Sequence, residues 1–522
     1  MRRWRLRSWS TAATVLVAAT VVMLVWSLAS AWTRPPLTPD SWAYLLLAKS
    51  FHSTPYHIPV IRQYQFHSDF GDSFPPVWPL ILFVASMLMH AGPWLGTVVA
   101  ALLSMALLPL LNVLLAQFVR AKGRRRVAAA ACWATLLSTS PYLDEVLGGR
   151  SIPAAMVLYV VLAIALMRTG RPTLGGGLLA GAAAGLLWMT RFDAAPFVLV
   201  IGALYPIVSG STSPFRWWLG YGVALAAMLT PWAVYSERTF GVAWATAPAL
   251  MAKNIGPSLV MDWYPVAPRT IADDPIAWLS RVLNNVPGLA SELWRVMRRY
   301  AYGTSLIGLF AGWAALQAGN LPARPARAQR VGLLLLFALV CQLAGPVIIG
   351  GFDLRYFSPL LTAVTLWSVG LLLNARTMRY RSMLLLPLGI GLLLGWRKAL
   401  GVQRAQRASL VAVVGIERSD RWPDAAGASL VMLKRCLPND ARALVIEEGN
   451  APDLVGYYAQ RTALSVPDNW RALSDDDRRH FLDVFHVSHV IVGPGSVAPP
   501  ADATSPVAGC APLRAVVQRS SR

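Results

Sequence analysis

Residues 11–31 read TAATVLVAATVVMLVWSLASA, and residues 34–51, RPPLTPDSWAYLLLAKSF, follow almost at once. The first stretch carries no charge and matches the ~20 apolar residues that a helix needs to cross a bilayer. Arg2, Arg3, Arg5 and Arg7 precede it. Positive charge beside a first crossing marks the cytoplasmic side, so the second stretch is expected outside. There Thr38 offers an N-cap hydroxyl and Pro39 a first helical residue. A helix to about residue 51 is predicted, with Asp40 in its first turn. Asp40, Tyr44, Leu47 and Phe51 share one face of it, which predicts an amphipathic helix lying in the membrane interface.

Working outward, the whole chain has the same character. Of its 522 residues 56% are hydrophobic and only 14% charged, with mean hydropathy +0.49. A soluble globular chain has about 25% charged residues, and a disordered one is far less apolar; both classes are excluded. The 21 Trp suit bilayer interfaces. A net charge of +22 would suggest nucleic acid in a soluble protein. Here the placement of the basic residues points to membrane topology instead, and no nucleic-acid partner is expected.

Apolar spans fall near 11–31, 94–119, 127–141, 153–168, 174–190, 194–210, 217–235, 303–319, 331–350, 356–374 and 383–400. Basic groups then occupy alternate loops: Arg120 to Arg126, Arg168 and Arg171, Arg216, Arg324 to Arg330, and Arg376 to Arg381. About eleven transmembrane helices put all of these on the cytoplasmic side. Two large segments, 32–93 and 236–302, and a tail from 401 lie opposite. The apolar run 77–91 is too short to span and reads as interfacial or re-entrant. The first span ends in Ala29-Ser30-Ala31, like a signal-peptide cleavage site, but exceeds the usual 7–15-residue apolar core; it reads as an uncleaved anchor. No Asn-x-Ser/Thr sequon occurs. The expected location is a bacterial plasma membrane, multi-pass, with a cytoplasmic N-terminus.

The chain divides into a membrane module, 1–400, and a soluble tail, 401–522. The tail is nearly neutral, with 14 Lys/Arg against 13 Asp/Glu. Helices near 426–436 and 475–486 precede the apolar strands 443–446 and 490–492, the pattern of an extracytoplasmic α/β domain. Cys132 and Cys341 lie in spans and read as packing residues. Cys436 and Cys510 lie in the tail, where an exported domain favours a disulfide over two free thiols.

Asp40 has a plain reading, an acid stabilised by a helix dipole. It has a chemical one as well: a carboxylate held ionised can take the proton of a hydroxyl that becomes a nucleophile. His67, Asp69 and Asp72 follow in the same segment. Solvated loop residues or divalent-metal ligands both fit them, and the spacing matches no strong metal motif. His52 and His57 read as solvated. Gly177, Gly181 and Gly185, and likewise Gly391 and Gly395, recur every four residues and read as helix-packing faces. In 236–302, Trp244, Trp263, Tyr264, Trp278 and Trp294 suit sugar stacking or lipid anchoring. Arg298, Arg299 and Tyr300 suit anionic head groups or carrier phosphate.

The order of several motifs resembles the GT-C superfamily of membrane glycosyltransferases, which includes protein O-mannosyltransferases and bacterial lipid A aminoarabinose transferases. These motifs are PDSWAYLLLAKSF (39–51), SFPPVWPLI (73–81), GLLAGAAAGLLWMTRFDAAPFVL (177–199), TPWAVYSERTFG (230–241) and FDLRYFSPLL (352–361). The resemblance covers about 1–400. It implies a polytopic fold, Asp40 as general base, and inverting transfer of a sugar from a polyprenyl-phosphate carrier to a lipid, cell-envelope glycan or protein acceptor. The leaving phosphate needs cationic stabilisation. Arg355 is the first candidate, since a guanidinium grips phosphate oxygens in pairs; snorkelling is its alternative. Arg191 is second, with an Arg191–Asp193 pair as its alternative. Many relatives carry Ser-Glu near the start of the fourth span, where this chain has Ser151-Ile152. Asp144 and Glu145, about two turns earlier, are the replacements at hand, together with Asp69 and Asp72. No cofactor is required by this reading, and a divalent metal is not favoured. The competing function is a transporter or flippase of a lipid-linked glycan. Its usual marks, mid-membrane charges and repeated halves, are not evident in the sequence. A third reading makes the tail the active part, but it shows no nucleophile constellation.

Overall fold

The computed structural model describes residues 2–32, 39–52, 60–61, 74–89, 92–117, 119, 122–138, 140–168, 172–210, 213–240, 244, 246, 252–253, 255, 263, 269–299, 326–349, 354–374, 435–446, 455–467, 469–492, 497–508, 510 and 513–516. Its helices in chain order are α1 (Arg2–Trp32), α2 (Pro39–Ser50), α3 (Val77–Leu88), α4 (Leu95–Leu115), α5 (Lys122–Ser138), α6 (Ser140–Leu147), α7 (Ile152–Arg168), α8 (Leu174–Thr190), α9 (Ala195–Val208), α10 (Pro214–Phe240), α11 (Pro275–Arg299), α12 (Ala326–Gln342), α13 (Ala344–Ile349), α14 (Ser358–Asn374) and α15 (Asp475–Val484). Nine of the eleven spans read from sequence are helical. The other two, 303–319 and 383–400, lie outside the described residues, as do Gly391, Gly395 and most of the helix expected at 426–436. Among the described residues, four helical stretches are long and apolar enough to cross a membrane: Thr11–Ala29, Leu95–Leu115, Pro214–Arg238 and Arg330–Ile349. A total of eleven crossings stands as an expectation from sequence.

The chain forms two compact units. The first comprises Met1–Ser30, Thr97–Val234 and Val282–Arg404. Its helices bury small and apolar residues inward, such as Ala128 to Ala131 and Leu136 on α5. They leave others outward, such as Val22 and Trp26 on α1 and Leu179 on α8. That pattern suits a lipid surround, which imposes no cost on an exposed apolar face. Helix α8 starts where Thr173 accepts a hydrogen bond from the Gly176 N–H at 3.1 Å. It ends at Arg191, whose extended backbone turns the chain into a short 3-10 turn, Phe192–Ala194. Along α8, Gly177 and Gly181 lie against the backbone of α10 at Trp217 and Tyr221, and Gly185 against the Met228 side chain. A Cβ on Gly177 would sit 2.6 Å from the Trp217 carbonyl oxygen. The four-residue glycine repeat is therefore a contact face, as its spacing predicts.

The second unit comprises Ala31–Gly96, Tyr235–Arg281 and Ala405–Arg522. It is built on a six-stranded mixed sheet of strands β1 (Val60–Ile61), β2 (Arg442–Ile446), β3 (Thr462–Ser465), β4 (His489–Val492), β5 (Thr504–Pro506) and β6 (Leu513–Val516). The spatial order is β1-β3-β2-β4-β6-β5. The first four are mutually parallel and the last two pair antiparallel. The central strands read as continuous apolar runs because parallel strands are covered on both faces. Leu444, Ile446, Leu464 and Val490 pack with Phe481 and Phe485, from α15 and its end, and with Trp470. Ser474 caps α15 and Asp475, Asp476 and Asp477 occupy its first turn, where the helix dipole favours acids. Cys436 and Cys510 are disulfide-bonded, 74 residues apart in sequence. A loop of that length contributes about 4 kcal/mol in the chain-entropy account.

Neither the strand β1 nor the core residue Trp263 comes from the tail. The first belongs to the segment 32–93 and the second to 236–302. Asn469 closes on Trp263 from both sides: its side-chain oxygen accepts from the Trp263 N–H at 3.1 Å, and its amide donates to the Trp263 carbonyl at 2.7 Å.

Candidate functional site

Asp40 lies in the first turn of α2 and is half-buried. The helix itself departs from the amphipathic expectation. Trp42 to Ala48 are all buried, at 0–6% exposure, and only Lys49 is exposed. The reason is that other elements enclose it. Helix α3 packs along it; Tyr44 meets Phe74, just before α3, at 5.1 Å, and Phe51 and His52, just after α2, meet Phe83 at 5.4 and 4.9 Å. The turn Val455–Ala459 of the tail covers another side. Thr38, His57, His67, Asp69 and Asp72 lie outside the described residues. So do Tyr264 and Tyr300.

In the first unit, Arg191 and Asp193 form the pair that their spacing allowed. Arg191 Nε donates to Asp193 Oδ1 at 2.8 Å, both side chains 9% exposed. Gln342, at the end of α12, donates to Asp193 Oδ2 at 3.2 Å and accepts from the Tyr159 hydroxyl at 2.7 Å. Arg191 also lies over the Tyr356 ring, 5.5 Å from its centroid. Tyr356 belongs to the 3-10 turn Leu354–Phe357, which carries Arg355. The structure thus brings the Arg191 bend to the Arg355–Tyr356 turn, 165 positions apart, although the direction of the Arg355 side chain is not described.

Helix α6 packs against that same turn. It carries Asp144, half-buried, and Glu145, 2% exposed. Arg150 reaches back to Glu145 at 3.0 Å, so the charge of the buried carboxylate is balanced within the protein. Among the described residues no three His, Cys, Asp or Glu side chains gather as metal ligands would.

Tyr159 also lines an apolar cavity of about 110 Å³, with Leu114, Met156, Phe197, Leu335 and Leu366. Its walls come from helices, with one phenolic hydroxyl and the Thr362 side chain as the polar features. Gln342, Tyr159 and Arg150 were not singled out from sequence. A signal existed for the first two, since isolated polar residues inside apolar spans are functional candidates by default.

No catalogued protein family and no curated protein sequence matches the chain. Solved structures do. The arabinofuranosyltransferase AftD from Mycobacteria aligns with TM-score 0.52 at 16% identity, covering 94% of this chain and 35% of AftD. The Archaeoglobus fulgidus oligosaccharyltransferase aligns with TM-score 0.50 at 12% identity, covering 90% of this chain and 69% of that one. The chain shares the fold of these two solved glycosyltransferases. ArnT from Cupriavidus metallidurans, solved with undecaprenyl phosphate, aligns at 14% identity and TM-score 0.47, covering 87% and 85% of the two chains.

Proposed function

We propose that this chain is an integral-membrane glycosyltransferase that moves a sugar from a polyprenyl-phosphate carrier to an acceptor outside the cytoplasm. The observation that carries the reading is the contact between the Thr190–Asp193 bend and the Arg355–Tyr356 turn. Both were picked out by resemblance, they lie far apart in sequence, and a GT-C fold joins them. An exported active face has no access to nucleotide sugars made in the cytoplasm, whereas an isoprenoid tail lies among helices and leaves its phosphate at the interface.

In this mechanism Asp40 takes the proton of the acceptor hydroxyl. The oxygen attacks the anomeric carbon from the face opposite the phosphate, a C–O bond forms, and the bond to phosphate oxygen breaks with its electron pair. The configuration inverts. Arg355 balances the charge developing on the phosphate. Arg191 is the weaker choice for that role, because Asp193 already balances its charge; it serves to shape the site around Tyr356. Glu145 pairs with Arg150, and no step is assigned to it. The acceptor is a lipid, an envelope glycan or a protein, in a bacterial plasma membrane with the N-terminus inside and the tail outside.

The test is transfer by purified protein in detergent, using a panel of radiolabelled polyprenyl-phosphate sugars and cell-envelope acceptors. Labelled acceptor is the expected product. A flippase would form none in detergent while translocating the lipid in vesicles, and that outcome would replace the proposal.

A further inference from the structure

We infer that the C-terminal tail is a positioning element of the catalytic centre: its sheet edge and its Val455–Ala459 turn hold the helix that carries Asp40. This rests on the glycosyltransferase reading for the role of Asp40, but the mechanical part stands on contacts within the second unit alone.

Three contacts carry it. First, β1 adds in parallel to the edge of the tail's sheet, pairing Val60 with Ala463 and Ile61 with Leu464. That strand begins ten residues after the end of α2, so the sheet anchors the chain close in sequence to the helix. Secondly, the Val455–Ala459 turn packs directly on α2, and its Val455 and Ala459 are wholly buried. Thirdly, α3 packs along α2, with Phe51 and His52, just past the end of α2, against Phe83 of α3. An isolated 12-residue helix is marginal in water, so the position of α2 depends on what encloses it. A base must meet its proton within hydrogen-bond reach, and a misplacement of about 1 Å can lower a rate about 100-fold. Two buried anchors on the tail therefore set the geometry of a residue 400 positions upstream.

The tail's own fold is expected to survive the loss of β1. That strand is two residues long and sits at the sheet edge, outside the β3-β2-β4 centre. This makes a selective test available in the full-length protein. Val60→Pro and, separately, Ile61→Pro remove backbone pairing at the edge, while Val60→Thr keeps it. Hydrogen exchange should show protection kept in β2 and β4 but lost in residues 39–50 of the proline variants. Turnover should fall at least tenfold, with KM for acceptor changed less than threefold, and Val60→Thr should behave as wild type. Protection of 39–50 unchanged while β1 exchanges freely would overturn the inference. So would a lost helix 39–50 with undiminished turnover. The exchange arm reads the mechanical coupling even if the chain has no transferase activity, so failure of the functional reading and failure of this inference give different results. Should both proline variants disturb β2 and β4, Val455→Ala, which trims a buried side chain of the turn that packs on α2 and lies outside the strands, supplies the same two readouts.

Discussion

Asp193 answers to two partners, Arg191 on one oxygen and Gln342 on the other. Removing its charge strands a buried guanidinium. Breaking one side of a buried pair costs about 3–5 kcal/mol, far above the 0–1 kcal/mol of an exposed pair. Asp193→Ala should therefore lower the thermal midpoint of the detergent-solubilised protein clearly, with Asp193→Asn intermediate because its one remaining oxygen can still accept from Arg191. Equal midpoints for all three proteins would show that the pair is not the buried contact described. The Arg191–Asp193 contact was legible from a two-residue spacing. Its extension to Gln342 and Tyr159 was not, because partners 149 and 183 positions apart meet only through helix packing. Glu145, a candidate second acidic residue by sequence, pairs with Arg150, five residues on.

At the scale of elements, the α8–α10 contact depends on missing side chains. Gly181 lies against the Tyr221 backbone, which cannot move aside cheaply, whereas Gly175 on the same helix has open space around it. Gly181→Ala should destabilise by about 1–3 kcal/mol through overpacking. Gly175→Ala should be neutral or stabilise by up to about 1 kcal/mol, from helix propensity. Denaturation in detergent checks both, and equal effects would contradict the packing described. The period of four made this face legible in sequence. The enclosure of α2 was not legible, because the covering turn comes from the other end of the chain. Strand β4 offers a pH test. Burial holds the His489 imidazole below its ordinary 6.5, against a weaker opposite pull from Asp440. A lowered folded pKa means that the unfolded chain binds the proton first. The stability from a neutral His489 is complete above 6.5 and declines as pH falls through the folded value. Exchange protection of β4, corrected for intrinsic rates, should weaken from pH 7.5 to 5 in the wild type. His489→Gln should remove that part of the slope, and an identical slope in the variant would rule it out.

For the molecule as a whole, composition pointed to the apolar helices and the strand pattern to the sheet near the end of the chain, and motif order pointed to the GT-C fold. The assembly of 32–93, 236–302 and the tail into one unit was beyond that reading. It depends on a two-residue strand and on one Trp held by one Asn, signals too short to stand out in 522 residues. The grouping matters for function, since it joins the three segments assigned to the exported face and places Asp40 among them. The proposed chemistry then meets its most direct test at that carboxylate. Wild type and Asp40→Asn, matched for folding by thermal midpoint, are compared for transfer of labelled sugar from polyprenyl phosphate to acceptor. The account predicts product from the wild type and a loss of at least 1,000-fold, about 4 kcal/mol of barrier, in the variant; transfer by Asp40→Asn at the wild-type rate would contradict it.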